Sequence, residues 1–501
     1  MTTQYQALVE KIHEIDDLNK ALAILNWDKE VNMPPKGLEA RVQQMTTLSR
    51  LTHTMFISNE MGQMIEDAAS ELNGADYNSD EASLIRLLRK NYDDARKVPA
   101  DFVARSARLS GPAHAAWVKA RAENDYAQFQ PFLEQVIDMC QELADYYGYE
   151  DEKYDALLDK YEIGMKTAEV RAIFDATKAE LIPLREAIEE RGTAVSDALV
   201  HQQFNVDKQK EFARFIAGQI GYDFERGHLG TVVHPFATSF SRNDARITTR
   251  WYPDFLNPSL FGTLHESGHA MYEQGTHPNL ARTPLARGTS LGIHESQSRM
   301  MENLVGRNRS FWQAHFPQLQ SLFPDQLGSA TAEDFYLAIN KVQPSYIRVE
   351  ADELTYNFHI ILRFELEQAM LNGELAAKDL PEAWNTKMEE LLGVVPPTDS
   401  EGCLQDVHWT RPGFGYFPTY ALGNLYAAQF WETAVAQHPA IESELVAGKT
   451  TTLLNWLHEN IHKHGRKFTP GELVQRITGK PLSHDAFIRY ATAKFTNIYE
   501  L

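Results

Sequence analysis

The 501-residue chain has almost no cysteine, only Cys140 and Cys403. Two thiols so far apart in sequence exclude a disulfide-stapled secreted framework and the paired cysteines of a zinc ribbon. Basic charge is also scarce: 48 Lys and Arg against 69 Asp and Glu leave a formal net charge of −21. That field repels phosphate backbones and anionic lipid, so neither nucleic acid nor membrane is an expected partner. The sequence holds no run of about 18 apolar residues, the length a helix needs to cross a bilayer. Met1 to Asp17 interleave Glu10, Lys11, His13, Glu14, Asp16 and Asp17 with apolar residues, unlike the unbroken apolar centre of an export signal. A soluble, cytoplasmic protein is the expectation. Gly/Ser-rich and Pro-rich tethers are missing too. The expected organisation is a single body over residues 1–501, with a helical lobe at 1–225, a central region at 226–420 and C-terminal helices at 421–501.

What is present is ample apolar surface: 43% of residues are hydrophobic, enough to offset the ordering entropy that defeats a disordered chain. From Leu8 the apolar residues recur as Leu8, Ile12, Ile15, Leu18, Leu22 and Leu25, steps of three and four that mark one face of a long helix. The same period predicts helices over 81–91, 129–147, 167–190, 208–218, 352–371, 424–437 and 451–464, so the fold class is mainly α. Turn signals stand at Leu109-Ser110-Gly111-Pro112, Asn257-Pro258 and Pro396-Pro397. One region departs from the helical pattern. His228 to Tyr252 is rich in Thr, Val, Ile and Phe, which predicts strand. A second run, Arg287 to Ile293 with Gly288 and Gly292, is expected to pair with it in a sheet of two or three strands.

His265-Glu266-Ser267-Gly268-His269 fits H-E-x-x-H. One helical turn separates the two histidines and aims both imidazoles at one ion, with the intervening Glu able to reach a water beside it. Chance alone gives about 0.05 such matches in a chain of this composition, yet a second copy occurs at His458-Glu459-Asn460-Ile461-His462. That copy meets Phe468 where the longer metzincin pattern requires a third His, so it reads as a structural helix. For the first copy, Glu295 in His294-Glu295-Ser296-Gln297 offers a third ligand on a following helix. Glu273 and Glu302 remain alternatives for that ligand or supports behind it. Two His and one Glu are a zinc-hydrolase donor set that leaves a coordination position for water.

These residues are part of an ordered set of landmarks: His234-Pro235-Phe236, Asp244-Ala245-Arg246-Ile247-Thr248, His265 to His269, His294 to Gln297, Ile347-Arg348-Val349-Glu350-Ala351-Asp352, and Gly402-Cys403-Leu404-Gln405-Asp406-Val407-His408-Trp409. In this the chain resembles the carboxypeptidase Taq family of metallocarboxypeptidases. The resemblance implies a large helical peptidase fold with a deep substrate groove and a small sheet next to the metal site, often as a homodimer. It implies His265, His269 and Glu295 as ligands of zinc, with cobalt as the other candidate ion. It also implies Glu266 as general base, and release of single C-terminal amino acids from peptides by attack of metal-activated water.

A C-terminal exopeptidase needs a cation for the free carboxylate of its substrate, and Arg supplies paired hydrogen bonds. Arg348 is the candidate, against a plain ion pair with Glu350 or Glu353. His234, His408 and Tyr420 each carry a donor able to meet developing charge or orient substrate, although Tyr420, in an aromatic cluster with Tyr416 and Phe417, can equally serve packing. Asp244, Arg246 and Thr248 alternate along the expected strand and share a face. In similar proteins this motif closes one end of the groove and limits substrate length; a salt-bridged strand without peptide contact is the alternative. A zinc endopeptidase or dipeptidase shares the metal chemistry, and a helical scaffold is the non-enzyme reading.

Overall fold

A computed structural model of the chain describes residues 3–192 and 195–501. It is mainly helical, with one sheet of three strands. The chain divides into two compact units, each assembled from three segments. The first comprises Met1–Arg96, Asp197–Ile339 and Phe430–Lys480; the second comprises Lys97–Ser196, Asn340–Gln429 and Pro481–Leu501.

In the first unit the N-terminal helix runs Gln4–Val31, started by a capping box in which Thr3 and Gln6 satisfy each other's backbone N–H groups. Its predicted stripe is buried at Leu8, Ile12 and Ile15, which pack with Met61, Ile65, Leu84 and Leu88. Further along, Leu18, Leu22 and Leu25 are half-buried and Trp27 takes over as the buried anchor. Trp27 stacks edge-on against Phe236 and Phe240, fixing this helix to the sheet.

The sheet consists of β1 (Leu229–Thr231), β2 (Ala237–Ser241) and β3 (Asp244–Thr249), with β3 central, parallel to β1 and antiparallel to β2. Ala245 and Ile247 turn into the core, while Asp244 and Arg246 share the more open face, as strand alternation requires. All three strands lie inside the region predicted as strand. The expectation of a further strand over Arg287 to Ile293 is wrong. Residues 287–290 form loop and turn, and a helix starts at Leu291. Ser290 decides this: its side chain accepts from the Ile293 N–H and caps the helix. The turn expected at Leu109 to Pro112 is also absent, because one helix runs Ala100–Glu123 straight through Pro112.

The second unit is built around the helix Tyr356–Leu371, which is buried along nearly its whole length. Its Glu367 carboxylate, fully buried, accepts from Tyr154 Oη, Trp409 Nε1 and the Gly415 N–H. Burial nevertheless pushes the carboxyl up to about 7. Among the described residues, no helix is long and apolar enough to cross a membrane.

Candidate active site

The H-E-x-x-H segment lies in the first unit, on a helix spanning Asn257–Gln274 that packs on β3. Pro258 occupies its first turn, where a missing N–H removes no helical bond. His265 and His269 leave one face with ring centroids 4.9 Å apart. The following helix, Leu291–Arg299, brings Glu295 to them. Its Oε2 lies 3.6 Å from His265 Nε2 and 3.3 Å from His269 Nε2.

Gly268 makes this approach possible. A Cβ there would fall 2.4 Å from the Gln297 carbonyl oxygen and 2.6 Å from Ser298 Cα, both backbone atoms of the Glu295 helix. Gly to Ala inside a helix ordinarily stabilises by about 1 kcal/mol. For Gly268→Ala the sign should reverse, with overpacking costing about 1–3 kcal/mol. Thermal melting and metal titration of the variant should both show a loss; a higher melting temperature with unaltered metal affinity would contradict this crossing.

The groups around the cluster fix its chemistry. His265 Nδ1 is 2.8 Å from Glu302 Oε2, and Glu302 is also bonded by Arg299 Nη1 at 3.1 Å. His269 Nδ1 lies 2.5 Å from His294 Nδ1, and His294 Nε2 lies 2.9 Å from Glu273 Oε1. Both Nδ1 atoms are thus engaged on the far side of the rings, leaving both Nε2 atoms toward Glu295. Glu295 itself is bonded by Arg299 Nε on Oε1, at 2.8 Å, and by the Ser298 hydroxyl on Oε2. Glu302 sits on a π-helical turn, Met300–Val305, that continues the Glu295 helix.

Burial opposes charge throughout this cluster, and specific neighbours decide which side wins. Burial depresses His269 to about 4, aided by His294 and His265 despite Glu295, so its imidazole is neutral. At His265 burial is overcome by Glu295, Glu302 and Glu266, which hold it up at about 9. Burial would raise Glu295, but Arg299 and the two histidines keep it well below the usual carboxylate range. Glu302 is likewise held near 2, chiefly by Arg299 and His265 against its own burial. Glu273 is lowered against burial by its bond to His294. Glu266 behaves in the opposite way: it is only 7% exposed, and burial pushes its carboxyl up to about 7.

A different polar cluster occupies the second unit. Arg348 is buried, with its Nε and Nη2 on Asp406 Oδ1 at 3.2 and 2.9 Å and its Nη1 on Tyr356 Oη. Arg363 holds the other oxygen of Asp406 at 2.6 Å. Neither Glu350 nor Glu353 is the partner of Arg348, and Glu353 pairs with Lys494 instead. The Arg348 guanidinium lies over the Tyr420 ring, 5.1 Å from its centroid, and Tyr420 Oη is 3.5 Å from His408 Nε2. Burial depresses His408 to about 4 despite Asp406.

The family description of carboxypeptidase Taq (M32) metallopeptidases matches residues 7–495. The chain belongs to the M32 metallopeptidase family. Its relatives agree with that membership. Thermostable carboxypeptidase 1 of Thermus thermophilus is 41% identical over 99% of both chains, and carboxypeptidase 1 of Bacillus subtilis is 37% identical over 100% of this chain and 99% of its own. The crystal structure of an M32 carboxypeptidase from Deinococcus radiodurans superposes with a TM-score of 0.96 at 38% identity, covering 99% of this chain and all of the other. As an M32 peptidase the chain is a metal-dependent peptide hydrolase.

The donor set fits a divalent ion. An ion about 2.0–2.2 Å from each of two tetrahedrally disposed ligands separates them by about 3.3–3.6 Å, and the two Nε2 to Oε2 distances, 3.6 and 3.3 Å, match that spacing. Among the described residues, His265, His269 and Glu295 form the one group of three or more His, Cys, Asp or Glu with ligand atoms all within 4.8 Å of one another.

The second H-E-x-x-H of this M32 chain cannot do the same. Its helix ends at Asn460, and Ile461 leaves helical geometry at φ −124°, ψ −64°, so the two histidines are not on consecutive turns of one helix. His458 is half-buried beside Glu459, whereas His462 is buried with Nε2 on Gln297 Oε1 and its ring stacked on Tyr272. His458→Ala should therefore leave metal content and turnover at wild-type level, as expected of a surface change of at most about 0.5 kcal/mol; loss of the ion in elemental analysis would refute the distinction between the two copies.

Of the other sequence candidates, Arg348, His408 and Tyr420 are brought together in the second unit, while His234 and Arg246 stand in the first. His234 is exposed in the loop between β1 and β2. Arg246 forms a bidentate pair with Asp244 at 2.8 Å and lies over Phe240, 4.8 Å from its centroid. Thr248, buried, donates to the Phe236 carbonyl and accepts from the Phe236 N–H, tying the His234-Pro235-Phe236 loop to β3. The sequence reading assigned no role to Asp406, Arg363 or Arg299. For Arg299 the signal was available, four residues after Glu295 on one helix.

Proposed function

We propose that this M32 peptidase removes single amino acids from the C-terminus of peptides, using zinc held by His265, His269 and Glu295, with cobalt as an alternative ion. The convergence of two Nε2 atoms on one carboxylate oxygen, at distances that suit ligands of one ion, carries this reading. When bound, the ion supplies Lewis-acid polarisation of the scissile carbonyl and a lowered pKa for the attacking water. Glu266 takes the proton from that water and returns it to the departing amine; a carboxyl brought near 7 by burial is suited to both halves of the transfer.

Arg348 receives the free carboxylate of the peptide. Within its cluster two guanidinium groups, Arg348 and Arg363, face the single carboxylate of Asp406, so one positive charge is left over for an anion. His408, Tyr420 and His234 orient the substrate or its developing oxyanion, and Arg246, held rigid by Asp244, limits substrate length. The enzyme acts as a cytoplasmic homodimer, as one catalytic body over residues 1–501.

Incubation with an N-blocked peptide bearing a free C-terminus tests the reaction. Single amino acids should appear in sequence from that end, stop with a chelator and resume with added zinc. Internal fragments would mark an endopeptidase instead, and unimpaired hydrolysis under chelation would remove the metal from the account.

A further inference from the structure

The two imidazoles that face Glu295 are supported differently. His265 Nδ1 meets a carboxylate directly, 2.8 Å away at Glu302. His269 Nδ1 meets a second imidazole, that of His294, which in turn meets Glu273. We infer that His294, fixed by Glu273, is a positioning residue that sets the tautomer of His269 and so directs the lone pair of its Nε2 to the metal. This rests on His269 being a ligand, as proposed above.

Hydrogen-bond bookkeeping leads to that assignment. The Glu273 carboxylate can only accept, so His294 donates to it from Nε2, 2.9 Å from Glu273 Oε1. The Gly288 N–H also donates to Oε1, at 3.2 Å, which holds the carboxylate in place. As a metal ligand through Nε2, His269 keeps its own ring proton on Nδ1. That proton faces His294 Nδ1 at 2.5 Å, so His294 Nδ1 is the acceptor. His269 carries its proton on Nδ1, and Nε2 is left as the bare atom, 3.3 Å from Glu295 Oε2.

The surroundings are shaped for this ring. A Cβ on Gly288 would lie 2.4 Å from His294 Cδ2, so the loop approaches the imidazole as closely as a residue without a side chain allows. On the adjoining side Tyr272 packs against it with centroids 5.3 Å apart. An imidazole that only filled space would need neither the carboxylate behind it nor the contact between two Nδ1 atoms. Outer-shell groups of this kind hold a ligand histidine in one orientation and one tautomer.

Competition against a chelator gives the zinc affinity of the full-length wild type and of His294→Leu, His294→Gln and His269→Ala. His294→Leu removes the acceptor and should weaken zinc binding about 10- to 100-fold. His294→Gln offers an amide oxygen in its place and should return to within a few-fold of wild type. If His294→Leu binds zinc as tightly as wild type while His269→Ala does not, the inference fails and the ligand assignment stands. Equal weakness of the Leu and Gln variants would also overturn it, since packing alone would then be the role of the ring. Tight binding by His269→Ala would instead refute the ligand assignment. Should the Leu variant not fold, ring-nitrogen NMR of histidine-15N-labelled, zinc-loaded wild type decides: the proton of His294 is expected on Nε2, and a proton on its Nδ1 overturns the inference.

Discussion

Glu266→Gln should keep its metal ion and lose turnover by about 10² to 10⁴, the range of general acid-base assistance. Gln preserves shape and hydrogen-bonding atoms but cannot carry the proton from the attacking water to the leaving amine. The buried position explains why this carboxyl suits the task. At the ordinary carboxylate value it would be too weak a base; burial pushes it up to about 7. The same shift has a cost in stability. Between the pKa of the unfolded chain and about 7, the unfolded state ionises while the folded state stays protonated, so stability falls as pH rises and the loss is complete above about 7. Metal-free Glu266→Gln should accordingly melt no lower than metal-free wild type at alkaline pH. Metal analysis, steady-state rates and melting curves on the same preparation check all three expectations, and a variant with wild-type turnover would end the role of Glu266.

Glu295→Gln is the second large effect. The carboxylate brings the negative charge to a site whose other two donors are imidazoles, and it is kept ionised by Arg299 at 2.8 Å. An amide removes that charge and takes an ionic partner from the Arg299 side chain. Glu302 cannot take over as ligand, because it contacts His265 through Nδ1, on the side of the ring away from Glu295. Zinc affinity should therefore fall by more than the roughly 10- to 100-fold typical of outer-shell losses, with turnover falling in parallel. Chelated wild type should behave alike, but re-added zinc should restore only the wild type. A variant that retains a tightly bound ion would show that another carboxylate completes the set.

The parts of this site that follow a local rule were legible in the sequence. His265 and His269 are one helical turn apart, and Asp244 and Arg246 alternate with buried Ala245 and Ile247 along β3, although Thr248 is buried. The identity of the third donor was not local. Spacing put Glu295 forward but left Glu273 and Glu302 as alternatives, and only the resemblance singled it out; what separates the three is the helix crossing at Gly268, which carries Glu295 to the Nε2 side and leaves Glu302 and Glu273 behind the rings. Arg287 to Ile293 failed for a related reason. Its alternating apolar residues and two glycines imitate a strand, whereas Gly288 is there to admit the His294 ring and Ser290 to cap a helix. In the second H-E-x-x-H the motif itself is intact, and only the break at Ile461 separates its histidines. Likewise the pairing of Arg348 with Asp406 joins residues 58 positions apart, beyond the reach of any periodicity.

The most direct test of the account is a crystal of the zinc-loaded protein measured on both sides of the zinc absorption edge. A single anomalous peak per chain should lie within about 2.2 Å of His265 Nε2, His269 Nε2 and a Glu295 carboxylate oxygen. A peak held instead by Nδ1 atoms, by Glu302, or by the pair His458 and His462 would contradict it.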